Sequence, residues 1–81
     1  MNILMETKKI ITELTGLNKI KKCSSLQEDL GLDSLAMVSL LIRIEEQFDI
    51  ELDESDMNPY DLTTVEDVIL LIKKYQHIEN I

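Results

Sequence analysis

Ser34 is the residue whose chemistry is hardest to explain away. It sits in the run Asp29-Leu30-Gly31-Leu32-Asp33-Ser34-Leu35, immediately before the apolar stretch from Ala36 to Ile44. A serine hydroxyl becomes a nucleophile when a positioned base takes its proton. No such base accompanies it: the sole histidine, His77, lies near the far end of the chain, and no G-x-S-x-G turn is present. A hydroxyl without an activator is suited to receiving a group, not to turning over a substrate. Taken alone, a serine at this spacing is also an ordinary helix N-cap.

The other reactive side chains carry less. His77 falls in a predicted tail, where a solvent-exposed imidazole is the expected state. Cys23 follows Lys21 and Lys22 and reads as a small loop residue. The carboxylates Asp49, Glu51, Asp53 and Glu54 invite comparison with a calcium loop. That loop needs glycine at its sixth position and glutamate at its twelfth. Counted from Asp49, those positions hold Glu54 and Tyr60, so no metal site is expected. No Gly-rich phosphate loop or H-E-x-x-H is present either. So short a helical chain gives little depth for a substrate cleft, and no intrinsic enzymatic activity is expected.

Eighty-one residues make a single domain, here taken as 1–81, with about 2–76 structured and 77–81 a frayed tail. A chain this short buries only about 60% of its unfolded surface. One cysteine allows no internal disulfide, so helix packing must supply the stability. Two glycines, one proline and the absence of period-two alternation predict an all-α fold.

Ile3, Ile10, Leu14 and Leu17, with Leu4 and Ile11 beside them, give a first helix over about Asn2 to Leu14, stopped by Gly16. Thr15 to Asp33 is a long connection, pinned by Ile20, Leu26, Leu30 and Leu32, with a short turn near Leu26 to Leu30. Asp33 or Ser34 caps a second helix running to about Gln47. Leu40, Ile44 and Phe48 form its core stripe. Val38 and Ile42 form a second stripe that begins at Ser34; these two and Met37 are candidates for partial exposure to a partner. Ser39, Arg43 and Glu46 mark the wet face. Asn58-Pro59 opens a short helix to about Leu62. Thr63 and Glu66 make a capping box for a last helix carrying Val65, Val68, Ile69, Ile72 and Tyr75.

The net charge of −8 is unevenly spread. Residues 1–32 sum to +1, residues 33–67 to −10 and residues 68–81 to +1. The negative block begins at the serine. It repels nucleic acid and anionic lipid and attracts basic protein surfaces. With no signal-like N-terminus and no apolar run near the about 20 residues of a membrane span, a soluble, cytoplasmic, monomeric protein is expected, with no nucleic-acid partner and no membrane insertion.

The stretch Asp29 to Leu35 resembles the phosphopantetheine attachment sequence of acyl carrier proteins. Glu45-Glu46-Gln47-Phe48-Asp49-Ile50-Glu51-Leu52 resembles the end of that family's second helix and its following loop, and Thr63 to Val68 the start of its last helix. Three blocks in the right order cover most of residues 26–75. The resemblance implies a small four-helix bundle, three main helices plus one short one, with a long loop between the first and second. It implies that a phosphopantetheinyl transferase, using Mg²⁺ and coenzyme A, joins 4′-phosphopantetheine to Ser34. Asp33 and Leu35 are the flanking motif, and an acyl group rides on the arm's thiol as a thioester.

Partners implied are acyl-transferring, condensing or adenylating enzymes with basic docking patches. They would meet the second helix at Val38, Ile42, Glu45 and Glu46. Fatty-acid-synthesis carriers usually place acids two and five positions after the serine. Here those positions hold Ala36 and Ser39, and Arg43 adds a positive charge. Fatty-acid synthesis therefore stands beside a specialised polyketide-like or lipid pathway. An aminoacyl or peptidyl carrier is the alternative, against which Gly31-Leu32 stands where that branch usually has two glycines. From another class, an unmodified acidic interaction module predicts a serine that merely caps, and a calcium-responsive helical protein predicts metal-dependent melting.

Overall fold

In a computed structural model, which describes residues 2–79 except the side chains of Pro59 and of residues 77–79, three α-helices run in chain order. They are α1 (Ile3–Thr15), α2 (Ser34–Phe48) and α3 (Val65–Glu79). The short fourth helix is a single 3₁₀ turn, Pro59–Asp61, and a second 3₁₀ turn, Glu54–Asp56, lies in the acidic connector where no element was expected.

Each helix starts and stops for a local reason. Asn2 caps α1 by accepting the Met5 amide at 3.1 Å, and Gly16, at φ 76°, ends it by donating to the Thr12 carbonyl. Asn58 caps the Pro59 turn through the Tyr60 amide. The box at α3 sits one residue later than the sequence suggests. Thr64 Oγ1 accepts the Asp67 amide, while the Asp67 carboxylate accepts the amides of Thr63 and Thr64. The shift has a cause in the backbone: Thr63 and Thr64 are drawn into an antiparallel bridge with the long loop, Ser25 opposite Thr64 and the Leu26 amide on the Thr63 carbonyl. The loop also caps α3 from outside. Ser24 and Lys22 carbonyls accept the Val65 and Glu66 amides, two of the first-turn donors that a helix cannot satisfy itself.

The core gathers Ile10 and Ile11 of α1, Met37, Leu40, Leu41, Ile44 and Phe48 of α2, and Val65, Val68, Ile69 and Ile72 of α3. The four loop residues expected to pin the connection, Ile20, Leu26, Leu30 and Leu32, are all buried. Met37 is fully buried, against the expectation of partial exposure: on the helical wheel it falls beside Leu41 and Ile44, not with Val38 and Ile42. Leu17 is 41% exposed, because α1 has already ended at Gly16 and the apolar stripe has no further turn to continue on. Thr7, unremarked in the sequence pattern, is buried in α1 with its Oγ1 unpartnered among the described residues.

Polar clasps fasten the seams. Arg43 pairs with Glu13 at 2.7 Å and Gln47 donates to Glu6 at 2.8 Å, joining α2 to α1. The Tyr75 hydroxyl donates to Asp56 and accepts the Asp53 amide, fixing the acidic connector to α3. α3 continues to Glu79, beyond the structured limit expected near residue 76. The exposure expected of His77 and the fraying expected of 80 and 81 lie outside the described residues. No helix among the described residues is long and apolar enough to cross a membrane.

Candidate functional site

The approach to Ser34 is built by the five residues before it. The Asp29 carboxylate accepts the Ser25 amide at 2.7 Å, and the Ser25 carbonyl accepts the amides of Asp29 and Leu30, closing a tight turn. Leu30 and Leu32 drop into the core, and the Leu32 amide bonds the Leu26 carbonyl at 2.9 Å. Between them Gly31 takes φ 68°, a left-handed conformation that any side chain would disfavour. A Cβ there would meet nothing within 4 Å, so the requirement is conformational, not steric. Asp33 then leaves in extended conformation, and α2 begins.

Of the two residues able to cap α2, the structure uses Asp33. Its Oδ1 accepts the Ala36 amide at 2.8 Å, and its carbonyl accepts the Met37 amide. Ser34 is the first helical residue and is exposed, so its hydroxyl is left out of capping. The first-turn amides and the positive end of the helix dipole lie at this same end. A phosphodiester carried on the Ser34 oxygen would face them without burying charge, so the residues present fit such a group.

Beside the serine an apolar ridge meets solvent. Leu35 is 76% exposed, Val38 39% and Ile42 44%. Leu35, a flanking residue of the motif, joins this ridge as well, and its spacing of three and seven from Val38 and Ile42 is the signal that could have found it. Glu46 is exposed at the ridge's far end. Glu45 is half-buried, with Oε2 accepting the Leu52 amide at 2.9 Å, so it also braces the following loop. Arg43 faces α1, where Glu13 offsets its charge.

Two carboxylates along α3 and the acidic connector are held below the ordinary aspartate range. For Asp56 the Tyr75 hydroxyl is the main cause, opposed by partial desolvation and reinforced by Lys74. For Asp67 it is the backbone amides of Thr63 and then Thr64. Desolvation, then the Asp56 hydrogen bond, pushes the Tyr75 phenol up. No cluster of three or more His, Cys, Asp or Glu side chains suited to a metal ion occurs among the described residues.

Comparison with known proteins decides the family. Residues 7–72 match the family described as "Phosphopantetheine attachment site". The chain is 43% identical to the acyl carrier protein of Buchnera aphidicola subsp. Baizongia pistaciae over 76 residues, which cover 91% of this chain and 95% of that one. The chain belongs to the acyl carrier protein family. An acyl carrier protein of Campylobacter lari is 37% identical over 78 residues, covering 94% of this chain and 99% of the relative. The crystal structure of an acyl carrier protein from Thermotoga maritima superposes with a TM-score of 0.80 at 20% identity, covering 95% of this chain and 89% of the other. That likeness carries the fold. As an acyl carrier protein family member with a phosphopantetheine attachment domain, the chain is a non-catalytic carrier.

Proposed function

We propose that Ser34 is the attachment residue and that the protein carries acyl intermediates as thioesters on a 4′-phosphopantetheine arm. The observation that supports this most is the division of labour at the start of α2: Asp33 caps the helix, and the Ser34 hydroxyl beside it is exposed, with no hydrogen-bond partner among the described residues. Attachment forms a bond from Ser34 Oγ to the phosphorus that bears the pantetheine arm in coenzyme A. It breaks the pyrophosphate P–O bond, releases adenosine 3′,5′-bisphosphate, and passes the serine proton to the transferase or solvent. When bound, the arm supplies a terminal thiol for thioester exchange. The chain's own residues supply the rest. Asp33 holds the helix start, the α2 dipole favours the phosphodiester, and the ridge at Leu35, Val38 and Ile42, with Glu46 beside it, meets partner enzymes.

Those partners are a phosphopantetheinyl transferase and acyl-transferring or condensing enzymes with basic patches. The names of the relatives support an acyl cargo over an aminoacyl one. Ala36 and Ser39, uncharged beside the serine, favour a specialised polyketide-like or lipid pathway over housekeeping fatty-acid synthesis. The cytoplasm, where coenzyme A and the transferase act, is the proposed location. The test incubates the apo protein with coenzyme A and a broad-specificity transferase and reads the intact mass. One phosphopantetheine is expected on the wild type and none on Ser34→Ala; an equal gain on both proteins would overturn the assignment.

A further inference from the structure

A cavity of about 590 Å³ opens between the first turn of α1 and the middle of α3, lined by Asn2, Ile3, Leu4, Lys22, Ile69 and Lys73. Its volume falls in the range of small-molecule sites, roughly 300–1,000 Å³. The floor is apolar. Ile69 is a core residue, and Ile3 and Leu4 pack half-buried against the same core. The rim is cationic. Lys73 stands one turn after Ile69 on the same face of α3. Lys22 reaches the cavity from the long loop, and its backbone is held because its carbonyl accepts the Glu66 amide at 3.0 Å.

Neither lysine belongs to the two ion pairs formed among the described residues, Arg43–Glu13 and Lys74–Asp56. Among the described residues, no carboxylate lines the cavity. In a chain with sixteen acidic residues and eight basic ones, that is an unusual neighbourhood. Two lysines from separate segments line one half-apolar surface, and the N-terminal end of the α1 dipole adds positive potential there. None of the lining residues belongs to α2, so the cavity is separate from Ser34 and its ridge.

We propose that this cavity binds an anionic amphiphile without covalent attachment. A carboxylate or phosphate headgroup sits between Lys22 and Lys73, and a short hydrocarbon tail lies over Ile3, Leu4 and Ile69. Charge-assisted hydrogen bonds fix the head, and burial of the tail supplies affinity at about 25 cal/mol per Å² removed from water. The inference stands whether or not Ser34 is modified.

The test titrates the full-length apo protein with decanoate, decyl phosphate, decanol, acetate and inorganic phosphate, and follows backbone amides by two-dimensional NMR. Either anionic amphiphile is expected to give saturable shifts centred on Ile3, Leu4, Lys22, Ile69 and Lys73. The tighter of the two identifies the headgroup. Decanol, and either amphiphile with the Lys22→Ala/Lys73→Ala double variant, should bind at least about tenfold more weakly. Both lysines are exposed, so the variant should keep the parent's thermal melt and its conversion by coenzyme A and transferase; that conversion reads the Ser34 assignment separately. Equal binding of decanol, equal binding by the folded double variant, binding of acetate or phosphate as tight as of the amphiphiles, or shifts centred on α2 would each overturn the proposal. So would the absence of any saturable shift.

Discussion

Replacing Asp33 with alanine, in parallel with Ser34→Ala, separates two roles that adjoin at the start of α2. Asp33 Oδ1 accepts the Ala36 amide at 2.8 Å in an exposed setting. Water can take over that amide once the carboxylate is gone, so no buried donor is orphaned and the loss stays near the ordinary value of a cap. That value is about 1 kcal/mol for Asp→Ala, with roughly 0.3–1 kcal/mol more for removing a negative charge from the positive end of the helix. In a domain of this size each kcal/mol lowers Tm by roughly 4–8 °C. Ser34 makes no cap bond, and alanine suits the first helical position, so Ser34→Ala should lie within about 0.5 kcal/mol of the parent. Thermal and urea melts followed by circular dichroism read both numbers, and intact mass reads attachment. The expected pattern is crossed: Asp33→Ala loses stability, whereas Ser34→Ala keeps it and loses the phosphopantetheine. If Ser34→Ala melts as early as Asp33→Ala, the serine is itself a cap, and the reasoning that sets it apart fails.

Further perturbations test the seams. Tyr75→Phe removes the hydroxyl that accepts the Asp53 amide at 2.8 Å and donates to Asp56; a loss of about 1–2 kcal/mol should be concentrated in the acidic connector, and unchanged amide exchange at Asp53 would count against the clip. Asp56 and Asp67 are both held below the ordinary aspartate range, by the Tyr75 hydroxyl and by the Thr63 and Thr64 amides respectively. The stability they contribute is therefore fully present above the unfolded-state value of about 4 and is lost as pH falls through their lower folded values. Urea midpoints measured from about pH 6 to about pH 3 should drop, and the drop should shrink in Asp67→Asn; an identical slope in that variant would remove Asp67 from the account. Thr7→Val deletes a buried hydroxyl with no partner among the described residues while keeping the side chain's shape, so it should raise stability by about 1 kcal/mol; a lower melting temperature would mean that the hydroxyl is bonded after all.

What was legible in the sequence was whatever local chemistry alone decides. Gly16 as a stop, Asn58-Pro59 as a start, and the burial of Leu40, Ile44, Phe48, Val65, Val68 and Ile72 follow from caps and from 3.6-residue periodicity. The features missed depend on two distant segments meeting. The capping box moved from Thr63–Glu66 to Thr64–Asp67 because the long loop pairs with Ser25 opposite Thr64, a tertiary bridge with no signature in the local pattern. Arg43 read as a bare charge on the α2 surface because Glu13 lies thirty positions away in sequence. Tyr75 read as one more apolar stripe member, since its spacing reports the ring and is silent about the hydroxyl. Around Ser34 the order was clear and the assignment was not: either Asp33 or Ser34 could cap, and only the backbone geometry chose between them.

That choice bears on how partners are met. Many of the chain's carboxylates are already engaged inside the fold: Glu6 with Gln47, Glu13 with Arg43, Asp29 with the Ser25 amide, Asp33 with Ala36, Glu45 with Leu52, Asp56 with Tyr75 and Lys74, and Asp67 with Thr63 and Thr64. Among the described residues, Glu28, Glu46, Asp49, Glu51, Asp53, Glu54, Asp61 and Glu66 remain on the exposed surface, none of them in the first two turns of α2. Downstream of the serine, Leu35, Ala36, Val38 and Ser39 carry no charge, and the Asp33 carboxylate before it is engaged in the cap. Long-range attraction and short-range fit therefore belong to different parts of this surface. The connector's carboxylates would steer a basic partner over roughly a Debye length, about 8 Å at physiological salt, and so would govern how often it arrives. On the proposed reading, the apolar ridge would touch the partner next to the arm and would govern how long it stays, because dissociation rates carry most differences between related interfaces. A partner matched to this protein thus needs a hydrophobic seat close to its own active-site entrance and its positive charge displaced toward the connector. An enzyme whose basic residues crowd that entrance would arrive readily and dock poorly.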